Sequence, residues 1–522
     1  MVNPAARAPR VERRAVPRLP NWAGLALAAL AGAAQALSFA PGEGWWLQLI
    51  SIGGLAALLV HQRPLVAAAR AWVFGWVWLG LGLWWLFNSL HVYGGLPSGL
   101  AIAAVAMLAA LLALYYALAA ALCALTRRQT VQTDALLFAA WFLAAELGRA
   151  TLFSGFPWIA SGYAHTDGPL ARWAPYIGVY GIGALAAWCA AVPALGLVGL
   201  RNGKWGAFRS LGPMLAPSAV IAAGLVLPQE FTSSTGSLAV SLFQTNVAQD
   251  LKFDREHIVA ALDWHARQFA SAHGDLIVTP ESSLPVLAEQ IATATWLDYE
   301  SPFDRPGRGA LVGIFTGDSE RGYTNSVVGL SATQHVLQGT AYHYGKRHLL
   351  PFGEFVPSGF HWLTDMMRIP IGDQARGTET ASFEVGGQRV RPLICYEDLF
   401  GEDFAASMVG PGAATMMANI TNLAWFGPVM VQDQHLQFSR MRALEFQRGQ
   451  VRATNTGATA VIDHRGVVTA RLAPEVEGVL EARIEGRRGD TPYGLWLARW
   501  WLWPLWAVLA VVILVAQLVR RR

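Results

Sequence analysis

Eight long apolar runs constrain the fold of this chain more than any other feature of its sequence. They lie near residues 20–39, 44–60, 67–89, 97–126, 134–152, 175–200, 210–228 and 495–518. About 20 apolar residues suffice for a helix to cross the hydrocarbon core of a bilayer, and all but the shorter second run reach or approach that length. We therefore expect a polytopic α-helical membrane domain of about seven spans over residues 1–229. An eighth span with a basic tail is expected over residues 495–522.

Basic residues indicate which ends of these runs face the cytoplasm. Five arginines precede the first run, three arginines end the chain, and Arg63, Arg127 and Arg201 follow the second, fourth and sixth runs. This pattern predicts cytoplasmic termini and puts the stretch between the seventh and eighth runs on the opposite side. Alternatively, residues 1–36 are a cleaved signal peptide, since Ala34-Gln35-Ala36 resembles a cleavage site. Cleavage there leaves the sides of the remaining loops unchanged.

Between residues 230 and 494 the composition changes to that of a soluble domain. Ile258, Leu262, Ala266 and Phe269 recur at helical spacing between two short β-branched stretches. The predicted strands are Leu238–Thr245, Leu276–Thr279, Leu311–Phe315, Ser326–Leu330, Val390–Ile394, Thr415–Asn419 and Thr459–Ile462, and a second helix is predicted over Val429–Phe446. This alternation is typical of an inserted α/β domain with a core of its own.

One of the predicted strands ends at Cys395, which Tyr396 and Glu397 follow directly. Functional groups collect at the carboxyl ends of strands in open α/β sheets, so a thiol there indicates a nucleophile. The alternative is a buried core cysteine, which is common. Cys123 and Cys189 lie in apolar runs, so the polar domain has neither a disulfide nor a Cys/His metal motif. We expect no metal and no organic cofactor.

Two more signals complete a chemically coherent set. Glu281 follows a predicted strand, and Lys346 lies in a loop rich in glycine and tyrosine. A carboxylate can remove the thiol proton, the thiolate can attack an acyl carbon, and an ammonium can stabilise the tetrahedral intermediate. Taken singly, each of these residues is more typical of an exposed turn. Together they predict acyl transfer through a thioester.

In this order and with these flanks, Glu281, Lys346 and Cys395 resemble the triad of the nitrilase (carbon-nitrogen hydrolase) superfamily, whose members share an α-β-β-α sandwich. Further stretches resemble the apolipoprotein N-acyltransferase family: Pro351-Phe352-Gly353-Glu354-Phe355-Val356-Pro357, Phe156-Pro157-Trp158, Ala424-Trp425-Phe426-Gly427 and Arg440-Met441-Arg442-Ala443-Leu444-Glu445. The resemblance covers nearly the whole chain. It implies transfer of an acyl chain from a membrane phospholipid to the N-terminal amine of a diacylglyceryl-cysteine apolipoprotein, by a ping-pong route through acyl-Cys395.

The resemblance also implies a place in the cell and a set of partners. It predicts a bacterial inner-membrane protein with a periplasmic catalytic domain and cytoplasmic termini. The expected partners are the phospholipid donor, the diacylated acceptor and the membrane. The small net charge of +4 makes no case for nucleic-acid binding, and nothing in the sequence requires more than a monomer.

Several other residues receive expected roles around the triad. Glu354 is expected to assist Lys346, or alternatively to pair with Arg347. The Tyr396 backbone N–H is a candidate oxyanion donor, and Glu397 a structural partner. The candidate substrate contacts are Asn325, Tyr344, Trp362, Met366, Trp425 and Phe426. Trp362 and Met366 belong to an apolar segment, residues 358–377, interpreted as a mobile lipid-contacting arm or as an ordinary buried helix. Asn325 is alternatively a turn residue, and Trp425 and Phe426 alternatively only pack.

Three other functions fit parts of the pattern. A membrane-anchored nitrilase-like hydrolase needs the same triad, with water as the acyl acceptor. A transporter with an accessory domain is disfavoured because few ionisable residues lie deep in the apolar runs and no inverted repeat is evident. A non-catalytic binding module is disfavoured because all three triad residues are present.

Overall fold

Helices occupy all seven apolar runs that precede the polar domain. The computed structural model describes residues 20–42, 44–128, 130–201, 215–318, 322–356 and 373–518. The helices of this first part are α1 (Asn21–Ala36), α2 (Trp45–Leu59), α3 (Pro64–Gly82), α4 (Leu86–Asn88), α5 (Ser98–Thr126), α6 (Val131–Thr151), α7 (Ala174–Arg201) and α8 (Leu215–Val226). Short 3-10 or π turns lie at Ser89–Tyr93, Leu152–Ser154, Ser161–His165 and Pro169–Trp173.

The polar stretch forms an α/β domain. Its strands are β1 (Ser233–Gln244), β2 (Leu276–Val278), β3 (Leu284–Leu287), β4 (Gly309–Asp318), β5 (Gly322–Ser331), β6 (Tyr342–Gly345), β7 (Phe383–Val385), β8 (Gln388–Ile394), β9 (Met416–Thr421), β10 (Gly449–Thr454), β11 (Ala460–Ile462), β12 (Val468–Arg471) and β13 (Gly478–Arg488). Its helices are α9 (Arg255–Ser271), α10 (Thr293–Glu300), α11 (Gly401–Phe404) and α12 (Val431–Phe446). The predicted strands correspond to β1, β2, β4, β5, β8, β9 and β11, and the predicted second helix to α12.

The strands form two mixed sheets. One has the order β13-β1-β2-β4-β5-β6, with β3 pairing with β4, and the other has the order β12-β11-β10-β9-β8-β7. The central strands β1, β2 and β4 are parallel, as are β8, β9 and β10, while the outer pairs are antiparallel. Parallel neighbours end at the same edge of a sheet, so the residues that follow β2 and β8 can converge.

The two sheets pack face to face, with helices outside. Ile394 of β8 and Ile420 of β9 lie in the core between the sheets, opposite Leu242 of β1. On the outer side of the first sheet, a second core includes residues of α9 and α10. On the outer side of the other sheet, Leu393 of β8 shares a core with Phe438 of α12. Alternation along β8 therefore gives one face to each layer, which makes an α-β-β-α sandwich.

After this domain the chain returns to apolar helices, α13 (Pro492–Trp500) and α14 (Trp503–Leu518), bent by 92°. Among the described residues, the helical segments long and apolar enough to cross a membrane are Pro64–Gly82, Ser98–Thr126, Val131–Ser154 and Pro169–Arg201, with α13 and α14 as a fifth if they count as one. α1, α2 and α8 have only 16, 15 and 12 residues. They are shorter than the roughly 20 residues of a typical span, so the expected eight spans are not established.

The α/β domain and the membrane helices share one hydrophobic core. The Trp158 indole N–H donates to Gln434 Oε1 of α12 at 2.8 Å, and the Tyr396 hydroxyl donates to the Gly155 carbonyl at 3.0 Å. The Val179 N–H of α7 donates to Glu445 Oε1 of α12 at 2.7 Å. These bonds fix α12 and the turn after β8 against the membrane helices.

Candidate active site

Three strand ends bring Glu281, Lys346 and Cys395 together. Glu281 lies three residues beyond β2, Lys346 directly follows β6, and Cys395 directly follows β8. The Cys395 thiol lies close enough to the Glu281 carboxylate for that carboxylate to raise its pKa, and Lys346 Nζ lies 3.4 Å from Glu281 Oε1. The thiol, carboxylate and ammonium that stand far apart in the sequence therefore form one cluster.

Lys346 lies between two carboxylates. Its Nζ is 2.6 Å from Glu354 Oε1 and 3.4 Å from Glu281 Oε1, and all three side chains are buried. Burial acts to lower the pKa of Lys346, but the two carboxylates outweigh it and raise that pKa well above its ordinary value. Burial raises the pKa of Glu354, against the opposing charge of Lys346. The partner of Glu354 is thus Lys346, and the alternative pairing with Arg347 is not the one formed.

The Cys395 thiol holds its proton in this resting arrangement. Burial and the adjacent Glu281 carboxylate raise the pKa of the thiol well above its ordinary value, while the charge of Lys346 opposes them. The thiolate is the reactive form of cysteine, so a proton must leave Cys395 before it attacks an acyl group. The neighbouring Glu281 carboxylate is the base placed to take that proton.

Asn325 is part of the cluster rather than of a turn. It lies in β5, and its side-chain amide donates to Glu281 Oε1 at 2.7 Å and to Glu354 Oε1 at 3.4 Å. Its backbone carbonyl accepts the Lys346 N–H at 2.8 Å. Asn325 therefore bridges the Glu281 and Glu354 carboxylates through its side chain and holds the Lys346 backbone through its carbonyl. Its predicted contact with substrate stays a prediction.

Glu397 joins the nucleophile to the lysine loop. Its Oε2 accepts the Ile394 N–H at 2.7 Å and the Tyr344 hydroxyl at 2.8 Å. Its Oε1 accepts the Arg347 N–H at 2.8 Å. One buried carboxylate thus holds the residue before Cys395 and the residue after Lys346. This bond joins Tyr344 to the site, and its predicted contact with substrate stays a prediction.

The aromatic candidates lie at the border with the membrane helices. Phe426 is buried with its ring centroid 4.6 Å from that of Trp85, whereas Trp425 is 41% exposed and packs edge-on against Tyr93 at 5.4 Å. Trp362 and Met366, with most of the segment 358–377, lie outside the described residues.

Lys252 and Asn422 also hold Glu281, although the sequence did not single out either. Lys252 Nζ is buried and donates to Ser282 Oγ at 2.7 Å and to the Glu281 carbonyl at 3.4 Å. Burial lowers the pKa of Lys252 to about 8. The Asn422 N–H donates to Glu281 Oε2 at 2.8 Å. A lysine between Leu251 and Phe253 was the only sequence signal for this contact.

Among the described residues, the charged groups of the site do not form a cluster suited to a metal ion. Within the ranges that the structure describes, no three His, Cys, Asp or Glu side chains are grouped to hold a metal ion. What the arrangement offers is a thiol with an adjacent base, and an ammonium beside it. Such a set can form and resolve a thioester.

Comparison with known proteins matches both parts of the chain. Residues 31–192 match the family model described as the apolipoprotein N-acyltransferase N-terminal domain, and residues 239–493 match the carbon-nitrogen hydrolase model. A protein of Verminephrobacter eiseniae (strain EF01-2) named apolipoprotein N-acyltransferase is 46% identical, over 94% of this chain and 95% of the relative. Proteins of the same name from Ralstonia nicotianae and Bordetella bronchiseptica are 46% and 39% identical, over 90% and 96% of this chain and 88% and 98% of those relatives.

Proposed function

Since this chain belongs to the apolipoprotein N-acyltransferase family, we propose that it acylates the N-terminal amine of diacylglyceryl-cysteine lipoproteins, with a membrane phospholipid as the acyl donor. The protein is an acyltransferase of a bacterial membrane. The observation that carries the chemistry is one cluster at the strand ends. In it Lys346 pairs with both Glu281 and Glu354, and the Cys395 thiol lies close enough to Glu281 for that carboxylate to raise its pKa.

The first half-reaction loads the enzyme. Glu281 takes the Sγ proton as the sulfur attacks the ester carbon of the phospholipid. The Lys346 ammonium and the Tyr396 N–H stabilise the oxyanion of the tetrahedral intermediate. The ester C–O bond then breaks, Glu281 returns the proton to the leaving alkoxide, and a lysophospholipid departs from acyl-Cys395.

The second half-reaction transfers the acyl chain from Cys395 to the lipoprotein. The lipoprotein amine attacks the thioester carbon and Glu281 accepts a proton from the attacking nitrogen. The C–S bond breaks, the amide forms, and the thiol recovers a proton. Because donor and acceptor use the same sulfur in turn, the kinetics are ping-pong.

The contact with membrane helices supports lipid substrates. Each CH₂ group drawn from lipid into water costs about 0.8 kcal/mol, so an acyl chain needs a continuous apolar path to the thiol. An apolar groove of about 500 Å³ between α3 and α5 is lined by Trp76, Leu81, Trp84, Phe87 and Ile102, among others. It adjoins the loop of Trp425 and Phe426, because Asn88 Nδ2 donates to the Phe426 carbonyl at 2.8 Å. We infer that Trp425 and Phe426 line the acyl path.

The proposed location follows from the charge pattern. The basic residues beside the apolar runs support an inner-membrane protein with cytoplasmic ends and a periplasmic catalytic domain. The proposed division is a membrane domain over residues 1–229, a catalytic domain over residues 230–494 and a closing segment over residues 495–522. The proposed acting unit is a monomer.

Mass spectrometry of a diacylated lipopeptide tests this function. Incubated with the enzyme and phospholipid vesicles, the lipopeptide is expected to gain one acyl mass and the phospholipid to become lysophospholipid. Cys395→Ser is expected to abolish the gain, while Cys123→Ser, which changes a thiol outside the cluster, preserves it. Release of free fatty acid without a gain on the lipopeptide would instead indicate the hydrolase, which the names of the relatives do not favour.

A further inference from the structure

The nucleophile has a backbone conformation that needs support from its surroundings. Cys395 has a φ of 51°, in the left-handed region that residues with a side chain seldom adopt, and it begins the 3-10 turn Cys395–Leu399. Such a conformation persists only where neighbouring groups hold it. The bond from the Ile394 N–H to Glu397 holds the Leu393–Ile394 peptide, one residue before Cys395. The peptide after it is held by different residues.

Two buried side chains donate to the Cys395 carbonyl. Asn419 Nδ2 of β9 lies 3.3 Å from that oxygen, and His435 Nε2 of α12 lies 3.1 Å from it. A carbonyl oxygen only accepts, so His435 carries its proton on Nε2. Burial, with the nearby charge of Arg452, lowers the pKa of His435 well below its usual range, which keeps the ring neutral. Its Nδ1 has no hydrogen-bond partner among the described residues.

Both donors lie on the α12 side of the second sheet. Asn419 pairs with Leu393 in the parallel register of β9 and β8, and Leu393 faces the α12 side of the sheet. The Cys395 carbonyl therefore points toward α12. In a trans peptide the C=O and N–H groups point in opposite directions. The Tyr396 N–H is thus directed toward the other sheet, which supplies Glu281 and Lys346.

We propose that His435 and Asn419 are positioning residues that orient the Cys395–Tyr396 peptide, so that the Tyr396 N–H faces the oxyanion of the acyl intermediate. The N–H groups of a first helical turn have no acceptor within the helix, so this donor is available for that oxygen. The proposal rests on the acyl-Cys395 route proposed above.

The experiment compares two reactions of the same thiol in the full-length protein. Formation of acyl-Cys395 from phospholipid passes through an oxyanion, whereas alkylation by iodoacetamide does not. His435→Leu, which fills the site without a donor, is expected to slow acylation by about 10-fold to 100-fold and to change alkylation by less than about three-fold. His435→Gln, whose amide nitrogen replaces Nε2 as a donor, is expected to restore most of the acylation rate.

Asn419→Ala gives an independent readout if His435→Leu does not fold, as judged by its thermal unfolding. It is expected to show the same selective loss of acylation. Equal losses in His435→Leu and His435→Gln, or alkylation that falls as far as acylation in the folded variants, would overturn the assignment. Failure of the wild-type protein to form acyl-Cys395, with alkylation intact, would overturn the proposed function and this assignment with it.

Discussion

The ammonium of Lys346 lies 2.6 Å from the carboxylate of Glu354, and both groups are buried at the centre of the site. Glu354 also accepts the Leu350 N–H through its other oxygen at 2.8 Å. Glu354 thus neutralises part of the positive charge of Lys346. Because the ammonium binds Glu354 at the shorter distance, 2.6 Å against 3.4 Å to Glu281, it does not hold Glu281 as its main partner, and the Glu281 carboxylate can serve the thiol.

Glu354→Gln is therefore expected to lower the rate of acyl-Cys395 formation by about 100-fold. The amide keeps the shape of the side chain but leaves Lys346 paired with Glu281 alone. Stopped-time mass spectrometry of the intact protein measures the rate. Glu384→Gln, an exposed position in β7, is the matched control. A rate for Glu354→Gln equal to that of the control would refute the shared-charge role.

Glu397→Gln is expected to lower both stability and activity more than Tyr344→Phe does. The carboxylate accepts bonds from Ile394, Tyr344 and Arg347, and the amide loses an acceptor and adds an unmatched donor. A hydrogen bond to a charged group contributes roughly 1.5–3 kcal/mol, so disturbing the several bonds of Glu397 costs more than removing the single hydroxyl of Tyr344. Thermal unfolding in detergent compares the two variants. The reverse order of melting temperatures would show that Glu397 does not join the two loops.

Lys252→Met is expected to change the pH dependence of stability. Burial lowers the pKa of Lys252 to about 8 in the folded state, against 10.5 for a free lysine. The unfolded chain therefore binds more protons between pH 8 and 10.5, and stability contributed by Lys252 rises with pH across that window, by about 3 kcal/mol in all. Below pH 8 the contribution of Lys252 to the free energy of unfolding no longer changes with pH. The melting temperature of the wild type relative to Lys252→Met should increase between pH 8 and 10, and a difference that is flat or falls contradicts the buried cation.

Trp425→Ala is expected to impair phospholipid turnover by about 10-fold while sparing a short-chain soluble thioester. Trp425 is 41% exposed and packs only against Tyr93 among the ring contacts described, so its loss costs little stability. Phe426→Ala is the contrasting variant, since Phe426 is buried against Trp85 and its truncation costs roughly 3–5 kcal/mol. Kinetics with both donors measure the selectivity. Equal loss with the two donors would show that Trp425 does not contact the acyl chain.

Hydrophobic patterning was sufficient to predict the central architecture. The long apolar runs are helical where the structure describes them, and two of the three strand ends that carry chemistry, those of β2 and β8, are predicted from the sequence. β1, β2, β4, β5, β8, β9 and β11 were predicted because each contains a β-branched or apolar stretch. β6, which ends beside Lys346, was missed because its four residues, Tyr342–Gly345, form too short a stretch to show alternation.

Hydrogen bonds between residues far apart in the chain could not be predicted from the sequence. Lys252 reaches Ser282 across 30 positions, and His435 reaches Cys395 across 40, with no local pattern that indicates either bond. The sequence also did not determine the number of membrane spans. The run at 67–89 was expected to be one helix, but α3 ends at Gly82 and a π turn follows at Ser89–Tyr93. Local backbone breaks depend on tertiary packing rather than on hydropathy.

The most direct test of the mechanism is intact-protein mass spectrometry after incubation with phospholipid alone. The wild-type protein is expected to gain one acyl mass that hydroxylamine removes, peptide mapping is expected to locate it on Cys395, and a lipopeptide is expected to discharge it. Cys395→Ser should gain no such mass. Transfer of an acyl chain to the lipopeptide by Cys395→Ser, or by a wild-type protein in which no thioester forms, would contradict a route through this sulfur.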